Sequence, residues 1–570
     1  MTSDFKQALI TGVERVAAWS DVLDDINVYP VADGDTGRNL IASLTPLRYL
    51  EDNLEDTVYR LLLSARGNSG NIAAQFFSGL LDADSLAGLP RAAAFGRDNA
   101  LKAVRKPVPG TMLTVLDNLV AFMNGNEFVN SVEYVERVVD VLEQSVRTTP
   151  DFLPALQKAG VVDSGALGLY LFLEAFFRRL VGQHNSYRSV RTTFEGMLEI
   201  APSYQAEDED GYCIDTVIQN NEKMRETIEK LADKGESVVV IPHRNYMKVH
   251  LHVGSSKEAR IQIESLGEVV QWADDDIGFQ IKDFKRVQKR GAVHIMTDAA
   301  GSVTREDARE LGLTLLDSYI VAGNKSLPET IFSPEELYTT MRRGTRVSTS
   351  QASVYERHQY YQRVVNQFRH VLYLCVGSVY TGNYEVAVDW KKQNDPEGRM
   401  TVIDTGAASG RLGLIAIATA RYAVNNDDAR AVVAFARRAV ATCREYIFLD
   451  RLKYLAAGGR MPRAKAVFGD VLHVKPIVSP MAEGVEKIGT TKNRKGQLRF
   501  ALERFEEAFD DKASPFVMLE YSDNREWIDS VVRKEISSRC PRAEIRLQPL
   551  SLTSAVHMGP GTWAIAFLPS

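Results

Sequence analysis

A short acidic loop near the N-terminus, spanning Asn27 to Leu40, carries the first residue pattern that could do chemistry. Asp33 and Asp35 are one residue apart on a glycine-flanked turn. Two carboxylates placed in this way can face the same direction and hold a hard cation, and Mg²⁺ typically binds through a few carboxylates together with substrate phosphates. The pattern outlines a magnesium–nucleotide site. Asp-Gly-Asp is equally a common turn that caps a helix, here one beginning near Thr36.

Three further clusters of glycine and hydroxyl residues follow in the same region. They span Ser64 to Asn71, Lys106 to Thr114 and Ala159 to Gly168. Small residues and hydroxyls at the start of a helix let backbone N–H groups receive phosphate. Glycine-rich loops are frequent, so one such cluster alone carries little weight. The sequence contains no Gly-x-x-x-x-Gly-Lys-Ser/Thr segment, which excludes a P-loop nucleotide site.

An alternating segment from Met247 to Val253 predicts a half-buried strand with His250 and His252 on one face. Cys213 lies on an earlier predicted strand, Tyr212 to Ile218. One cysteine with two histidines is a familiar ligand set for Zn²⁺. Because no Cys-x-x-Cys anchor is present, the spacing fits two surface histidines and a buried cysteine equally well.

Hydroxyl-rich turns, one arginine and one histidine mark the C-terminal half. They lie in the segments Met296 to Ala300, Ser348 to Ser353, Gly377 to Tyr384, Ala457 to Met461 and His557 to Thr562. In an open α/β sheet the loops at the carboxyl ends of the strands gather in one crevice. Hydroxyls, helix N-termini, Arg and His in that crevice would bind a carboxylate. Taken singly, each hydroxyl segment could be a helix N-cap, and His557 could be a buried core histidine.

The elements that must position these residues change along the chain. Up to about Arg191, apolar residues recur at three- and four-residue spacing, as in Tyr59 to Ser64 and Val132 to Val146, which predicts an all-helical region. The stretch Pro202 to Tyr212 is acidic, has few apolar residues and predicts a linker. From Tyr212 to about Lys285 the pattern predicts strand, helix, hairpin, helix and strand, a small α/β domain.

After a basic connector, Lys285 to Arg290, short apolar runs alternate with helical stretches to the end of the chain. The runs are Val293 to Met296, Val371 to Cys375, Met400 to Ile403, Phe516 to Glu520 and Thr562 to Leu568. This alternation predicts βαβ units and a largely parallel sheet. The sequence therefore predicts a multidomain α and α/β protein with domains at residues 1–200, 211–285 and 291–570.

Composition excludes several classes of protein. The 570 residues are 45% hydrophobic and 25% charged, which excludes disordered and fibrous chains. Lys+Arg 68 against Asp+Glu 74 leaves no basic excess for a nucleic acid partner. Four scattered cysteines are too few for a disulfide framework and fit a reducing cytoplasm. The N-terminus lacks an export pattern, and the apolar runs are shorter than the roughly 20 residues that span a bilayer. We expect a cytoplasmic protein without a membrane span.

The four N-terminal clusters, in this order and on helices, resemble the nucleotide-binding domain of the dihydroxyacetone-kinase superfamily (DhaL-like), in the form found in bacterial fatty acid kinases. The resemblance implies an all-α, eight-helix antiparallel barrel with ATP and two Mg²⁺ ions at one end. It implies that Asp33 and Asp35 are catalytic metal ligands, with Asn27 as a further magnesium ligand. By the same resemblance Thr36 and Asn39 lie near the phosphates, and Ser69 and Gly70 contact phosphate. Thr111 and Met112 lie by the nucleotide.

The sequence departs from that family at two positions of the nucleotide site. Arg38 stands where the family usually has a small polar residue, and Pro109 stands where it usually has Glu. The middle domain of fatty acid kinases has a similar Cys and His-x-His arrangement that binds zinc. That resemblance implies zinc ligands at Cys213, His250 and His252, with the fourth ligand unidentified.

The C-terminal segments, in their order from about Gly291 to Ser570, resemble the DegV family of fatty-acid-binding proteins. The resemblance implies a two-lobed α/β domain that buries an acyl chain. It implies that the carboxylate of the fatty acid lies near Thr349, Thr381 and His557, with Arg460 close by. The sequence has Gly377, Tyr380, Thr381 and Asn383 where the family usually has Ser, Leu, Ser and Thr. The acyl chain preference is therefore open.

Together the resemblances predict a fatty acid kinase fused to its DegV-type carrier, which would make acyl phosphate for phospholipid synthesis. A carboxylate acceptor is already ionised and needs no general base, so the protein would contribute positioning and electrostatics. The alternative is a lipid-binding or regulatory protein whose helical domain binds nucleotide without transferring phosphate, which Arg38 and Pro109 favour. A small-hydroxyketone kinase is disfavoured because no region matches that superfamily's substrate domain. Expected partners are a fatty acid and a downstream acyl-phosphate acyltransferase, and a homodimer is left open.

Overall fold

The computed structural model of the chain divides into two compact units, residues 1–286 and 287–570, and each is described by itself. The structure describes residues 2–50, 53–207, 209–219, 238–243, 245–265, 267–285, 291–323, 325–457, 474–509 and 512–569. Arg460 and the predicted helix that follows Ile218 lie outside the described residues. The predicted boundary between a helical and a middle domain stays a prediction.

Among the described residues, eight helices of nine or more residues make up the N-terminal part of the first unit. They are α1 (Ser3–Asp25), α2 (Thr36–Leu44), α3 (Leu54–Ser64), α4 (Gly67–Leu80), α5 (Leu89–Ala103), α6 (Met112–Gly125), α7 (Val132–Arg147) and α8 (Ser164–Leu180). Contacts lead from α1 to α2, then through α4, α5, α6, α7 and α8 back to α1, so these helices form a closed ring. The all-helical prediction is confirmed, whereas the antiparallel barrel stays a prediction.

Helix α7 shows how the local sequence determines these elements. Ser131 caps the helix, because its hydroxyl accepts a hydrogen bond from the backbone N–H of Tyr134 at 3.2 Å. The buried residues recur at helical spacing and include Val135, Val138, Val139 and Leu142. Helix α8 is buried along almost its whole length because it packs against α1, α2, α6 and α7.

A small sheet completes the first unit. Its strands are β1 (Tyr212–Gln219), β2 (Val239–His243), β3 (Tyr246–Val253) and β4 (Val269–Asp276). Helix α9 (Ser256–Glu264) connects β3 to β4, and helix α10 (Ile277–Phe284) follows β4. The order is β2-β3-β1-β4 and every pairing is antiparallel. The register pairs Cys213 with His252 and Asp215 with His250, so these four side chains share one face of the sheet. The sheet packs on the helices through a cluster of Leu62, Ala103, Val239 and Ile241.

The second unit contains thirteen described strands. They are β5 (Val293–Asp298), β6 (Thr314–Leu316), β7 (Tyr319–Ala322), β8 (Lys325–Pro328), β9 (Val347–Ser350), β10 (His370–Cys375), β11 (Met400–Asp404), β12 (Arg444–Phe448), β13 (Lys475–Met481), β14 (Gly484–Thr491), β15 (Phe516–Tyr521), β16 (Glu544–Pro549) and β17 (Trp563–Leu568). The main helices are α11 (Arg305–Leu311), α12 (Pro334–Arg342), α13 (Val354–Gln367), α14 (Asn383–Asn394), α15 (Ser409–Val424), α16 (Ala429–Thr442), α17 (Leu452–Ala457), α18 (Arg494–Ala508), α19 (Arg533–Arg539) and α20 (Leu552–Met558).

These strands form two large sheets and one small one. The first large sheet has the order β11-β10-β5-β6 and is parallel throughout. The second has the order β14-β13-β12-β17-β15-β16, and only its β15–β16 pair is parallel. The prediction of a largely parallel sheet is therefore wrong for the second sheet, because β13 and β14 form a hairpin and the last strand, β17, enters antiparallel between β12 and β15. The small sheet, β8-β7-β9, is antiparallel.

Helix α15 connects the two large sheets of this unit. It contacts β5 and β10 of the first sheet and β12, β15 and β17 of the second. One continuous cluster of buried residues includes Leu372 from the first sheet, Ile415 from α15, and Met518 and Ala566 from the second. The two large sheets therefore share one hydrophobic cluster.

A substitution on α2 tests the packing of the helical ring. A Cβ atom at Gly37 would clash with the backbone carbonyl oxygen of Ser20 on α1, which cannot move aside as a flexible side chain could. We expect Gly37→Ala to lower the free energy of unfolding by about 1–3 kcal/mol, the usual effect of overpacking. Gly125→Ala, at the end of α6, is the matched control because nothing lies within 4 Å of its added Cβ. Equal melting temperatures of the two variants in calorimetry would contradict this packing.

Candidate functional site

The acidic loop lies between the end of α1 and the start of α2. Asp24, near the end of α1, caps α2: its Oδ1 accepts hydrogen bonds from the backbone N–H groups of Gly37 at 2.7 Å and Arg38 at 3.2 Å. Asp35 occupies the N-cap position, yet its side chain makes no capping hydrogen bond. The capping interpretation is therefore wrong for Asp35, whose carboxylate lines a cavity instead.

Asn27 is the centre of the hydrogen bonding around this cavity. Its Nδ2 donates to Asp33 Oδ1 at 2.8 Å and to the carbonyl oxygen of Val31 at 2.9 Å. Its Oδ1 accepts from the hydroxyl of Thr36 and from Ser164 Oγ at 3.2 Å. The cavity brings together six of the residues predicted to bind magnesium or phosphate, namely Asn27, Asp33, Asp35, Thr36, Asn39 and Ser69.

The electrostatics of the two aspartates fit a divalent cation. Burial raises the pKa of Asp35 to about 6, although the nearby Arg38 opposes this shift. Burial and then the neighbouring Asp35 raise the pKa of Asp33 well above its ordinary value. Two buried carboxyl groups that repel each other in this way become ionised readily when a cation lies between them.

Arg38, which departs from the expected small polar residue, supports the loop. Its Nη2 donates to the carbonyl oxygen of Gly34 at 3.0 Å, and its Nε lies 3.5 Å from Asp24 Oδ2. The guanidinium thus belongs to the framework of the loop, and its charge offsets part of the local negative charge.

A larger cleft of about 690 Å³ shares residues with this cavity, including Tyr29, Asn68, Ser69 and His252. Three of the predicted nucleotide contacts line the cleft, namely Ser69, Thr111 and Met112. Gly70 lies one turn into α4, where it packs closely against Ser43 of α2.

Lys106 and Asp163 also line the cleft, and the sequence analysis gives neither of them a role. Asp163 caps α8, accepting a hydrogen bond from the N–H of Ala166 at 2.7 Å. Burial raises the pKa of Asp163 to about 7 in spite of this hydrogen bond. Lys106 is exposed and offers positive charge at the edge of the cleft.

Cys213, His250 and His252 come together on one face of the β2-β3-β1-β4 sheet of the first unit. Their ligand atoms all lie within 4.8 Å of one another, and Cys213 Sγ is 3.7 Å from His250 Nδ1. Cys213 and His250 are buried, so the interpretation of two surface histidines is wrong. His250 Nε2 is buried without a hydrogen-bond partner. Burial and then His250 lower the pKa of His252 to about 4, which keeps its imidazole neutral.

This ligand set fits zinc, since neutral imidazoles and a cysteine sulfur are its usual ligands. Among the described residues, no fourth Cys, His, Asp or Glu joins the group. The three side chains line the same cavity as Asp33 and Asp35. The two proposed metal centres are therefore neighbours.

Asp215, which the sequence analysis does not single out, lies buried beside this centre. Its carboxylate is 3.4 Å from Lys248 Nζ and 3.4 Å from His250 Nδ1. It also accepts hydrogen bonds from Gly67 N at 2.8 Å and Asn71 Nδ2 at 3.0 Å. Burial alone would raise the pKa of Asp215, but Lys248, His250 and these donors hold it below its ordinary value.

The second unit gathers the residues that were predicted to bind a carboxylate. Thr349, Thr381 and His557 line one pocket, and Thr349 Oγ1 is 3.3 Å from His557 Nε2. The hydroxyl of Thr381 donates to Asn383 Oδ1 at 3.1 Å and accepts from the amide of Gln351. Apolar side chains complete the lining, among them Val376, Ile447, Leu455, Val485 and Met558. The N-cap interpretation applies instead to Ser353, which caps α13.

Asp298 supports the polar end of this pocket. It lies in the segment Met296 to Ala300, which the sequence analysis singles out without giving Asp298 a role of its own. It is buried at the end of β5 and accepts hydrogen bonds from Arg357 at 2.9 Å, Tyr373 at 3.0 Å and Asn383 Nδ2 at 2.8 Å. Because Asn383 in turn contacts Thr381, the Asp298 network fixes the position of the hydroxyl in the pocket. Only the contact of Asp298 with its distant partners reveals this role.

None of the described helices is long and apolar enough to cross a membrane.

Comparisons with known proteins match three consecutive segments of the chain. The DAK2 domain family matches residues 30–178, the family of fatty acid kinase-like middle domains matches residues 209–282, and the DegV family matches residues 292–570. Similar curated proteins include an uncharacterized protein of Staphylococcus saprophyticus, 29% identical over 52% of this chain and 59% of that one. A second, from Staphylococcus haemolyticus, is 31% identical over 50% of this chain and 56% of that one. The chain thus spans less than two thirds of the length of these relatives.

Solved structures similar to this chain cover its C-terminal half. A DegV family protein from Thermus thermophilus, described with fatty acid binding, is 24% identical with a TM-score of 0.45, covering 49% of this chain and 99% of that one. DegV from Bacillus subtilis, described as a fatty acid binding protein, is 18% identical with a TM-score of 0.45, covering 49% of this chain and 100% of that one. Three consecutive segments of the chain are therefore similar, in this order, to the DAK2 domain family, to the fatty acid kinase-like middle domains and to the DegV family.

Proposed function

We propose that this chain transfers the γ-phosphoryl group of ATP to the carboxylate of a fatty acid held by its own DegV-family domain, giving acyl phosphate for phospholipid synthesis. The observation that carries the proposal is the buried pair of Asp33 and Asp35, which lines a cavity that shares residues with a larger cleft. The side chain of Asp35 makes no capping hydrogen bond that would explain its place. The DegV-family pocket, apolar with a polar end, supports a fatty acid as the acceptor.

The residues around the cavity would bind magnesium and the nucleotide. Asp33, Asp35 and Asn27 would hold Mg²⁺, which when bound supplies positive charge to the phosphates during transfer. Thr36 and Asn39 would lie by the phosphates. The first turn of α4, with Ser69, offers backbone N–H groups to phosphate oxygens. Thr111 and Met112 would position the nucleotide in the cleft. By the family resemblance, Gly70 would contact phosphate beside Ser69.

The DegV-family pocket would position the acceptor. Thr349, Thr381 and His557 would hold the carboxylate by hydrogen bonds, while the apolar lining receives the acyl chain. A fourth contact, from Arg460, is proposed from the family resemblance alone. Because the carboxylate is ionised at neutral pH, no side chain has to remove a proton, and the task of these residues is orientation.

Cys213, His250 and His252 would hold one Zn²⁺ ion, which supplies a Lewis-acid charge beside the magnesium site. We also propose a cytoplasmic location, which fits four scattered cysteines that are all buried. The product would pass to an acyl-phosphate acyltransferase.

A second candidate function is a lipid-binding regulator that binds nucleotide without transferring phosphate. Arg38 and Pro109 favour it because both depart from the kinase pattern at the nucleotide site. The two candidates agree on nucleotide and fatty acid binding and differ only in turnover, so the assay below separates them.

Removing the acidic pair should stop phosphate transfer. We expect Asp33→Asn or Asp35→Asn to reduce acyl phosphate formation by at least about a hundredfold, because the charge that metal ions provide is worth several kcal/mol in the transition state. Fatty acid binding should not change. Asp84→Asn, on an exposed loop, is the matched control. Production of acyl phosphate from ATP is measured directly, and normal turnover by the Asp33→Asn, Asp35→Asn double variant would refute the assigned site.

Removing one donor from the DegV-family pocket should weaken fatty acid binding. Loss of a buried hydrogen-bond donor costs about 1–3 kcal/mol, so His557→Ala or Thr349→Ala should bind fatty acid five- to hundredfold more weakly. Nucleotide affinity should stay unchanged. Ser348→Ala changes an exposed neighbour on the same strand and should bind normally. Titration with a fatty acid, with mass spectrometry of any lipid that copurifies, provides the measurement; wild-type affinity in both pocket variants would rule out the carboxylate site.

The proposed zinc centre can be tested by metal content. We expect about one zinc per chain, lost in His250→Ala and in His252→Ala because a site with three protein ligands rarely survives the loss of one. His243→Ala removes a histidine elsewhere on the same sheet and should retain zinc. Elemental analysis decides, and unchanged zinc in both ligand variants would show that these histidines bind no metal.

A further inference from the structure

One buried carboxylate lies between the two halves of the proposed kinase site. Asp215 on β1 contacts two groups from each side: the backbone N–H of Gly67 and the amide of Asn71 on α4, and Lys248 and His250 on β3. Gly67 and Asn71 are 148 and 144 residues away in the sequence. Asp215 is thus the direct link between the sheet and the first turn of α4.

The contacts on the helix side fix the turn that is proposed to receive phosphate. Gly67 is the first residue of α4 and has a left-handed φ of 59°, and a Cβ there would clash with the side chain of Asn39. Asn71 Nδ2 donates both to Asp215 Oδ1 and to the carbonyl oxygen of Gly67 at 2.7 Å. Asp215 therefore holds the ends of the turn that contains Ser69.

One of the two contacts on the sheet side involves a residue of the proposed zinc centre. His250 Nδ1 lies 3.4 Å from Asp215 Oδ2 and 3.7 Å from Cys213 Sγ, so the ring is shared by the carboxylate and the proposed zinc site. A metal-bound histidine has a fixed ring orientation, and carboxylates that contact such histidines tune the centre. A cation at this site also adds positive charge next to Asp215.

We propose that Asp215 is a positioning residue that couples occupation of the Cys213–His250–His252 centre to nucleotide binding by the first turn of α4. With zinc bound, His250 and Lys248 together orient the carboxylate, which then holds Gly67 and Asn71 in the geometry that receives phosphate. Without zinc, the orientation of His250 is no longer fixed and the turn loses one of its supports. The inference rests on the proposed function, because it needs both a zinc and a nucleotide site.

The test measures binding and needs no turnover. The full chain is loaded with Zn²⁺ or treated with a chelator, and its affinity for a non-hydrolysable ATP analogue with Mg²⁺ is determined by calorimetry. We expect zinc removal to weaken nucleotide binding at least about fivefold in the wild type, within the usual range of coupling between two sites. Linkage requires the nucleotide to raise the affinity for zinc by the same factor.

Asp215→Asn removes the charge at nearly constant size and should abolish this dependence, giving one weak nucleotide affinity with or without zinc. Asp274→Asn is the matched control, since Asp274 is exposed on the neighbouring strand β4 and contacts Ser256. Zinc content of each variant is measured in parallel. If Asp215 has a structural role alone, Asp215→Asn should lower the stability of the chain and leave the zinc dependence of nucleotide binding unchanged.

Two results would overturn the coupling. If the nucleotide affinity of Asp215→Asn depends on zinc as strongly as that of the wild type, the effect is a through-space attraction that does not need Asp215. If the wild type binds both zinc and nucleotide but its nucleotide affinity does not depend on zinc, the two sites are not coupled and the proposed function stands. A wild-type chain that binds neither contradicts both proposals. Hydrogen exchange of the wild type covers the case of a misfolded variant: zinc should protect the Gly67–Asn71 amides more than those of α6, and equal protection refutes the coupling.

Discussion

A carboxylate buried away from water has to find cations or N–H donors, and this constraint separates four buried aspartates of the first unit into two pairs. Asp24 and Asp215 are buried and compensated, one by Arg38 and the start of α2, the other by Lys248 and the start of α4. Asp33 and Asp35 are equally buried, yet their pKa values are raised, so the chain compensates them less completely. Asp24 and Asp215 hold the starts of α2 and α4 in place around the site. A bound cation would supply the positive charge that Asp33 and Asp35 lack.

The same principle organises the pocket of the second unit. Asp298 is compensated by Arg357, Tyr373 and a backbone N–H, and its Oδ1, which accepts from Arg357, also accepts from Asn383 and orients it. The polar end of the pocket is thus held by a charge that itself is hidden from the ligand. A hydroxyl supported in this way keeps its position in a largely apolar surrounding, where an unsupported polar group would be expensive to bury.

Residues with a strong local pattern could be predicted from the sequence, and residues whose partners are distant could not. The helical spacing of α7, the alternation around His250 and the order of the hydroxyl segments are all local, and the structure places the corresponding side chains together. Asp24 and Asp215 give no such signal, because a lone acid in a helix or strand looks like any surface charge until its partners are known. The antiparallel second sheet was missed for a related reason: strand direction depends on where β17 inserts, which no local pattern records.

The shared core of the second unit has a consequence for the movement of its ligand. Helix α15 contacts both large sheets, and one cluster of buried side chains extends from one sheet to the other. A hinge motion that separated the two sheets would therefore expose this cluster to water. If the pocket holds a fatty acid, as we propose, the lipid would enter and leave along side chains at the pocket mouth while the two large sheets stay packed together. Side chains change rotamer in picoseconds to nanoseconds, whereas hinge motions take microseconds to milliseconds. The residence time of the lipid would accordingly depend on how tightly the pocket holds it, and a slow hinge motion would not limit its release.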